Sequence, residues 1–436
     1  MGQHGLFYKQ SATKGEARAP AEPCVFPLSK QDCRELQLCS LRNEPEDNVI
    51  SVVTSMIWWS VLALCAAAVA FRLLALAAVA LWRGGQGPGW TVPPRVTLLK
   101  PLCGLEDGLQ LALTSFLAQN LTSPVQFVFG AARPDDPALE LARQIAASYP
   151  ECEVLFVADG QQHGGNPKVS NLINMAKSGL AEVVVISDSD VVIPPGALQA
   201  AIDALSSPGV GGVTSLYRGR PGLAENRTHS FGAWYLDYWA LPMAALHARL
   251  GGLDVTYGPL TVLRGDVLER GGGLAALASQ LCDDAALGRM VLASGFKLAF
   301  APHVVETLVN DASPSALFAH ELRWSRTDRG EHPFGNLATV VSHPGPLPLL
   351  LMLHPGPLAA LGLILPILLR WLLARMVEQR FGRAEGVARP GLAGIWLRDM
   401  FCFAVWLRGL TVRHVEWRGQ LLAMQRGGLL KPEQGA

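Results

Sequence analysis

"EVVVISDSDVVIPPGAL" runs from Glu182 to Leu198. It opens on the apolar run Val183–Ile186 and closes on Pro194-Pro195-Gly196, with Asp188 and Asp190 between them. A short, fully apolar run bounded by turn formers reads as a strand buried on both faces. Aspartate is common in turns, so Asp-x-Asp alone carries little weight. Its context carries more. Two carboxylates at the end of an oily strand are costly to bury unless a cation or hydrogen-bond donors meet them. One residue apart, both can reach a single divalent ion, directly or through water. Mg²⁺ or Mn²⁺ suits a site of oxygen ligands and substrate phosphates.

Outward from this stretch, strand and helix patterns alternate. "RVTLLKPL" (95–102), "VQFVFGAA" (125–132) and "CEVLFVAD" (152–159) read as strands. "GLQLALTSFLAQN" (108–120), "KVSNLINMAKSG" (168–179) and "PGALQAAIDALSS" (195–207) have helical spacing. So does "DPALELARQIAASYP" (136–150), capped by Asp135 or Asp136 and stopped by Pro150. This alternation predicts an α/β fold, a mostly parallel sheet with helices on both faces. Ligands of such sheets bind outside the carboxyl ends of the strands. Asp136, Asp188 and Asp190 all follow strands and are expected to share one cleft.

The composition points to a membrane. Half of the 436 residues are hydrophobic and only 17% are charged, with acids and bases balanced at 36 each. Nothing in that balance suggests a nucleic-acid partner. The eight cysteines form no CxxC pair, and reduced cytosolic thiols are expected rather than a disulfide framework or zinc site. "MIWWSVLALCAAAVAFRLLALAAVALW" (56–82) is long enough to span a bilayer, with tryptophans near both ends. Its Arg72 must snorkel, meet a partner or face protein. "PGPLPLLLMLHPGPLAALGLILPILLRWLL" (344–373) is a second apolar block, and its prolines predict a kinked or two-part helix. A third block, 395–410, carries Arg398, Asp399 and Arg408 and suits a poor span, a re-entrant hairpin or an interfacial helix.

Residues 1–55 read as a disordered polar leader. Met56 heads the first span, so an internal start there would leave the leader untranslated. The expected organisation is a leader (1–55), an anchor (56–83), a catalytic domain (94–343), a membrane region (344–412) and a polar tail (413–436).

Three further features join the acidic pair. "ARPDDPALELA" places Asp135 and Asp136 after the second strand, and "LCDDAALGRM" places Asp283 and Asp284 at the head of a helix. "HELRWSRT" puts His320, Arg323 and Trp324 on a helix ahead of the second apolar block. The series Asp136, Asp188-Ser-Asp190, Asp284, Arg323-Trp324 resembles the D, DxD, D, (Q/R)xxRW series of membrane-bound glycosyltransferases with a GT-A fold. "LLKPLCGLEDGL", "DDPALELA", "GNPKVSNL" and "RWSR" resemble the ceramide glucosyltransferase-like family. "KVSNLINM", "TSLYRGRP", "HELRW" and "VVSHP" resemble its hopanoid-biosynthesis subgroup, the bacteriohopanetetrol N-acetylglucosaminyltransferases. The likeness spans about 96–343, with a similar tail ending in "VEWRGQ". His320 departs from the family's usual Gln or Arg, which leaves its contact with the donor diphosphate open.

The resemblance implies a UDP-sugar donor, UDP-GlcNAc in the hopanoid subgroup, and a lipid acceptor. It also implies a multi-pass protein of the bacterial inner membrane with its catalytic domain facing the cytoplasm. Asp188 and Asp190 would hold the divalent ion, and Asp136 the uridine part, alongside any role as a helix cap. Lys168 and Asn171, at a helix start, would favour the donor phosphates. A carboxylate must take the proton of the acceptor hydroxyl, and family position favours Asp284 over Asp283. Arg323 would meet the diphosphate and Trp324 would wall the sugar or acceptor pocket. The aromatic stretch 229–253 is expected to border the lipid entrance. Such single displacement inverts the anomeric carbon. Ceramide glucosylation is the alternative, and a polysaccharide synthase fits less well because its channel needs more helices.

Overall fold

The computed structural model describes residues 30–411 except Gly251, together with 414–417, 420–424 and 430–432. The chain divides after Met56 into two units, and the second holds the sheets and the candidate site. Helix α1 (Lys30–Ala80) includes residues 30–55 of the expected leader, so that part is helical rather than irregular. Once the apolar half forms a helix, extending it costs little. Residues 1–29 lie outside the described residues.

The α/β part of the chain is built on strands β1 (Val96–Pro101), β2 (Val125–Ala131), β3 (Glu153–Ala158), β4 (Val183–Ile186), β5 (Val191–Val192), β6 (Val210–Thr214), β7 (Tyr217–Pro221), β8 (Thr261–Arg264), β9 (Lys297–Phe300) and β10 (Val305–Val309). Seven of them form one sheet in the order β3-β2-β1-β4-β8-β6-β9. It is parallel from β3 to β4 and again between β6 and β9, and β8 runs against both neighbours. Strands β5, β10 and β7 make a second, smaller sheet.

The helices of this domain are α2 (Leu109–Leu117), α3 (Pro137–Ala146), α4 (Pro167–Ala176), α5 (Ala197–Ala204), α6 (Arg227–Tyr235), α7 (Leu241–Leu250), α8 (Gly265–Arg270), α9 (Asp283–Ala293), α10 (Pro314–Glu331) and α11 (Pro333–Ala338). A π-helical turn, Leu236–Ala240, joins α6 to α7. Alternate residues of each strand face opposite layers. Leu98, Phe127, Phe129 and Val185 pack with α2, α3 and α5 on one face. Leu99, Val128, Val184 and Ile186 pack with α4, α8 and α9 on the other. This is the mostly parallel, doubly covered sheet that the sequence predicts.

The opening stretch spans both sheets. β4 belongs to the large sheet, β5 to the small one, and Asp188-Ser189-Asp190 is the turn that carries the chain between them.

Among the described residues two helices are long and apolar enough to cross a membrane, Val49–Ala80 within α1 and α12 (Pro357–Phe381). The second apolar block is in two parts, as its prolines predict: a 3₁₀ segment, Leu347–Leu353, precedes α12. The third block is a single helix, α13 (Leu392–Thr411), with Arg398 and Asp399 buried against protein. Arg72 also faces protein. It donates to the carbonyls of Ala68, Val341 and Ser342 and lies 3.8 Å from Asp399. Arg370 donates to the carbonyls of Tyr238 and Ser342, so both arginines grip the segment that links α11 to the C-terminal apolar helices. The expected polar tail includes three short strands, β11 (His414–Trp417), β12 (Gln420–Met424) and β13 (Leu430–Pro432), paired antiparallel.

Candidate active site

Asp188 and Asp190 are held by their backbone as much as by their side chains. Lys100, fully buried at the end of β1, donates through Nζ to the Asp188 carbonyl at 2.6 Å and the Val191 carbonyl at 3.5 Å. It also reaches Ser187 Oγ at 3.4 Å and sits 4.0 Å above the Phe116 ring. The Asp190 carbonyl accepts from Leu308 N of β10 at 3.0 Å, and Ser189 Oγ donates to Glu106 at 3.2 Å. The turn is therefore pinned from β1, β10 and the loop after β1. Burial, then the charges of Asp188 and Glu106, push the Asp190 carboxyl up to about 7, while Lys100 works against the rise.

Lys168, the second residue of α4, bridges two acids: its Nζ lies 2.7 Å from Asp188 Oδ1 and 2.9 Å from Asp283 Oδ2. Burial opposes its charge, but these two partners outweigh it and hold the ammonium well above its usual range. Lys168 is thus a partly buried, paired lysine rather than an exposed one. It ties the acidic turn to the head of α9.

The same contact separates Asp283 from Asp284. Asp283 is buried and paired, and it is not the helix cap, a position held by Cys282. Asp284 is partly exposed. Its Oδ2 accepts from Gly258 N at 3.0 Å, and its Oδ1 accepts from Ala285 N at 2.9 Å and Cys282 Sγ at 2.8 Å. Burial and then the Asp283 charge raise its carboxyl above the usual range, against the pull of Cys282 and Lys168. A Cβ added at Gly258 would lie 3.0 Å from Asp188 Oδ2 and 3.5 Å from Asp284 Oδ2. Gly258 thus marks where the two acids face each other. Nothing in the sequence reading singled out Gly258 or Lys100. A lysine inside an apolar strand end and a glycine before Pro259 were the available signals.

Tyr217, at the start of β7, borders the same cleft. Burial raises its hydroxyl far above the ordinary tyrosine range, helped first by Asp284 and then by Asp188. From it an aromatic path leads to α10. Tyr217, Tyr235 and Trp324 pack on one cluster, and the Tyr235 and Trp324 rings stack with centroids 6.0 Å apart.

The other expected residues have local roles. Asp136 caps α3, as its alternative reading allowed, accepting from Ala138 N at 2.9 Å and from Gly104 N at 3.0 Å. It thereby fixes the loop after β1. Asn171 donates to the Gly130 carbonyl at 2.9 Å and is buried against the end of β2. His320 faces Asp311, with Nδ1 3.2 Å from its carboxylate, and packs 4.3 Å from the Trp324 ring. In the aromatic stretch 229–253, Tyr238 and Trp239 are core: Tyr238 Oη donates to Glu378 at 2.8 Å and Trp239 lies beneath Arg370. Those two do not border an entrance, because the membrane-side helices cover them.

A divalent ion fits the donor set in part. Among the described residues no group of three or more His, Cys, Asp or Glu could hold a metal by itself. Asp188 and Asp190 would supply two hard oxygen ligands to such an ion, and Lys100 only partly offsets the burial that raises the Asp190 carboxyl. An ion here would complete its shell from substrate phosphate and water, as Mg²⁺-type sites do.

The fold thus sets the acidic turn Asp188-Ser189-Asp190 between the two sheets, with Asp284 facing Asp188 across Gly258. The chain belongs to glycosyl transferase family 21, whose pattern matches residues 60–430. It is similar to ceramide glucosyltransferase 1 of Caenorhabditis elegans, 25% identical over 51% of this chain and 47% of the relative. It is also similar to ceramide glucosyltransferase 3 of the same organism, 22% identical over 78% of this chain and 74% of the relative. The chain thus spans about half the length of the first relative and three quarters of the second. Among solved structures it is similar to the mannosyltransferase PcManGT of Pyrobaculum calidifontis in complex with GDP-Man and Mn²⁺. That likeness is 17% in identity, with a TM-score of 0.48, over 81% of this chain and 99% of the other.

Proposed function

We propose that this protein moves a sugar from a UDP-sugar to the hydroxyl of a membrane lipid with inversion at the anomeric carbon. The observation that carries the reading is the facing of Asp284 and Asp188 across Gly258, with Asp190 on the same turn. Asp284 takes the proton of the acceptor hydroxyl as its oxygen attacks the anomeric carbon. The bond from that carbon to the β-phosphate oxygen breaks, and UDP leaves. The raised Asp284 carboxyl makes a better base than an ordinary aspartate. Asp188 and Asp190 would hold Mg²⁺ or Mn²⁺, which stabilises the charge developing on the diphosphate. Lys100 and Lys168 keep that turn in shape. Arg323 serves the diphosphate, and Trp324 with Tyr235 and Tyr217 walls the acceptor side. Asp136 orders the loop that receives the uridine.

The acceptor we favour is a polyol hopanoid of the bacteriohopanetetrol kind, with GlcNAc as the sugar, on the words "KVSNLINM", "TSLYRGRP" and "HELRW". In that reading the protein sits in a bacterial inner membrane and works on its cytoplasmic face. Ceramide glucosylation is the second reading, favoured by the ceramide glucosyltransferases among its relatives. Membranes containing the protein, offered both lipids with labelled UDP-GlcNAc and UDP-glucose in turn, separate the two. Label on bacteriohopanetetrol from UDP-GlcNAc is expected. Label on ceramide from UDP-glucose alone would give the second reading its place.

A further inference from the structure

Helix α10 carries two functions on two faces. His320, Arg323 and Trp324 share one face by their spacing, and Glu321 points about 100° away. The Glu321 side chain is 4% exposed and forms an ion pair with Arg398 of α13, whose side chain is fully buried. Three rings surround that guanidinium: Phe231 at 4.8 Å, Tyr235 at 5.3 Å and Phe401 at 5.0 Å. Arg398 Nε and Nη1 have no hydrogen-bond partner among the described residues, so Glu321 and the ring faces carry the cation. Tyr235 is shared. One neighbour is Arg398, and the other is Trp324, stacked at 22°.

We infer that the Glu321–Arg398 pair is a positioning device, through which α13 of the membrane region sets the register of the Arg323-Trp324 face over the cleft. The inference rests on the transferase reading of α10. Removing one partner leaves the other charge buried and unmet, and α10 must shift or tilt to relieve it. Tyr235 and Trp324 move with it, because they stack between the pair and the cleft. The helices themselves stay together. Arg329 Nη1 donates to the Gly409 carbonyl at 2.9 Å, and Trp406 Nε1 donates to the Asn336 carbonyl at 2.9 Å. Gly409 lets the backbones approach, since a Cβ there would lie 2.6 Å from Ser325 Oγ.

Register matters most when charge develops on the leaving diphosphate, so the loss belongs in kcat more than in KM. The test uses the full-length protein in detergent or vesicles, with UDP-GlcNAc and a lipid acceptor that the wild type glycosylates. Glu321→Gln and Arg398→Met should each lower kcat by about 100-fold, the cost of a misplacement near 1 Å. The KM for UDP-GlcNAc should stay within about 3-fold. The double variant should be no worse than either single one, because the two act as a unit. Arg398→Lys should fall between, keeping the charge but losing the planar fork that stacks on rings. A pair that only stabilised the fold would lower the folded fraction, read by protease protection, and leave kcat per folded molecule unchanged. Near-normal kcat in folded Arg398→Met or Glu321→Gln would overturn the inference. Arg323→Ala is the control: if it is inactive while Arg398→Met is normal, only the coupling falls. If Arg323→Ala is itself active, the catalytic reading of α10 falls.

Discussion

Gly258 offers a perturbation whose size can be worked out from the structure. Its φ lies outside the left-handed region, so alanine fits its backbone without strain. The methyl group would sit 3.0 Å from Asp188 Oδ2, where ordinary contact begins at 3.4 Å. Asp188 cannot simply swing aside, because its Oδ1 is held by Lys168 at 2.7 Å. A few tenths of an ångström must be absorbed by the acidic turn or by Asp284, 3.5 Å from the new methyl. Misplacing reacting groups by about 1 Å costs about 100-fold, so roughly half that shift should cost about 10-fold in kcat. That corresponds to about 1.4 kcal/mol of barrier. Gly258→Val, with more bulk between the acids, should lose about 100-fold. The assay is initial rate against Mn²⁺ concentration on purified protein, with thermal unfolding in parallel. The half-saturating Mn²⁺ should rise as kcat falls, and the unfolding midpoint should move by no more than about 2 °C. Wild-type kcat and Mn²⁺ dependence in both variants would refute the idea that Asp188 and Asp284 act across this glycine.

Asp284→Asn should lose about 10²–10⁴-fold in transfer, the usual share of a general base, while UDP binding measured by calorimetry persists. In the wild type, Asp284 works only as its anion and its carboxyl is raised, so the rate should fall with decreasing pH at values above the ordinary carboxylate range. A pH–rate profile whose acid limb stays in the ordinary range would contradict that assignment. Chelation by EDTA should stop transfer and added Mg²⁺ or Mn²⁺ restore it, and indifference to EDTA would remove the ion from Asp188 and Asp190. Lys100→Met takes the ammonium away from the buried Asp188 and Val191 carbonyls, so it should destabilise the domain by about 1–3 kcal/mol and lower its unfolding midpoint by several degrees.

The parallel half of the sheet was legible because its strands are short apolar runs separated by helical patterns, one of which, α3, is capped by Asp136. The small sheet was not legible. β5 has two residues, and its pairing with β10 joins positions far apart in the chain. The antiparallel strand β8 also lacked a local signal, since only its neighbours β4 and β6 define it. At the site, the acids could be named from spacing and resemblance, but their division of labour could not. Lys168 settles which of Asp283 and Asp284 is neutralised, and that pairing crosses more than a hundred residues. Asn171 is a similar case. Its place near a helix start was legible, but the bond from its amide to the β2 carbonyl of Gly130 is a long-range pairing that spacing does not show. The charges in 395–410 marked an unusual membrane segment, and only the fold reveals Glu321 as the partner of Arg398.

The most direct test of the central claim is the anomeric configuration of the lipid product made by purified protein from an α-linked UDP-sugar. Single displacement with Asp284 as base predicts one new β-glycosidic bond per UDP released, read by proton NMR of the isolated glycolipid. An α-linked product, or UDP released without any lipid-linked sugar, would contradict it.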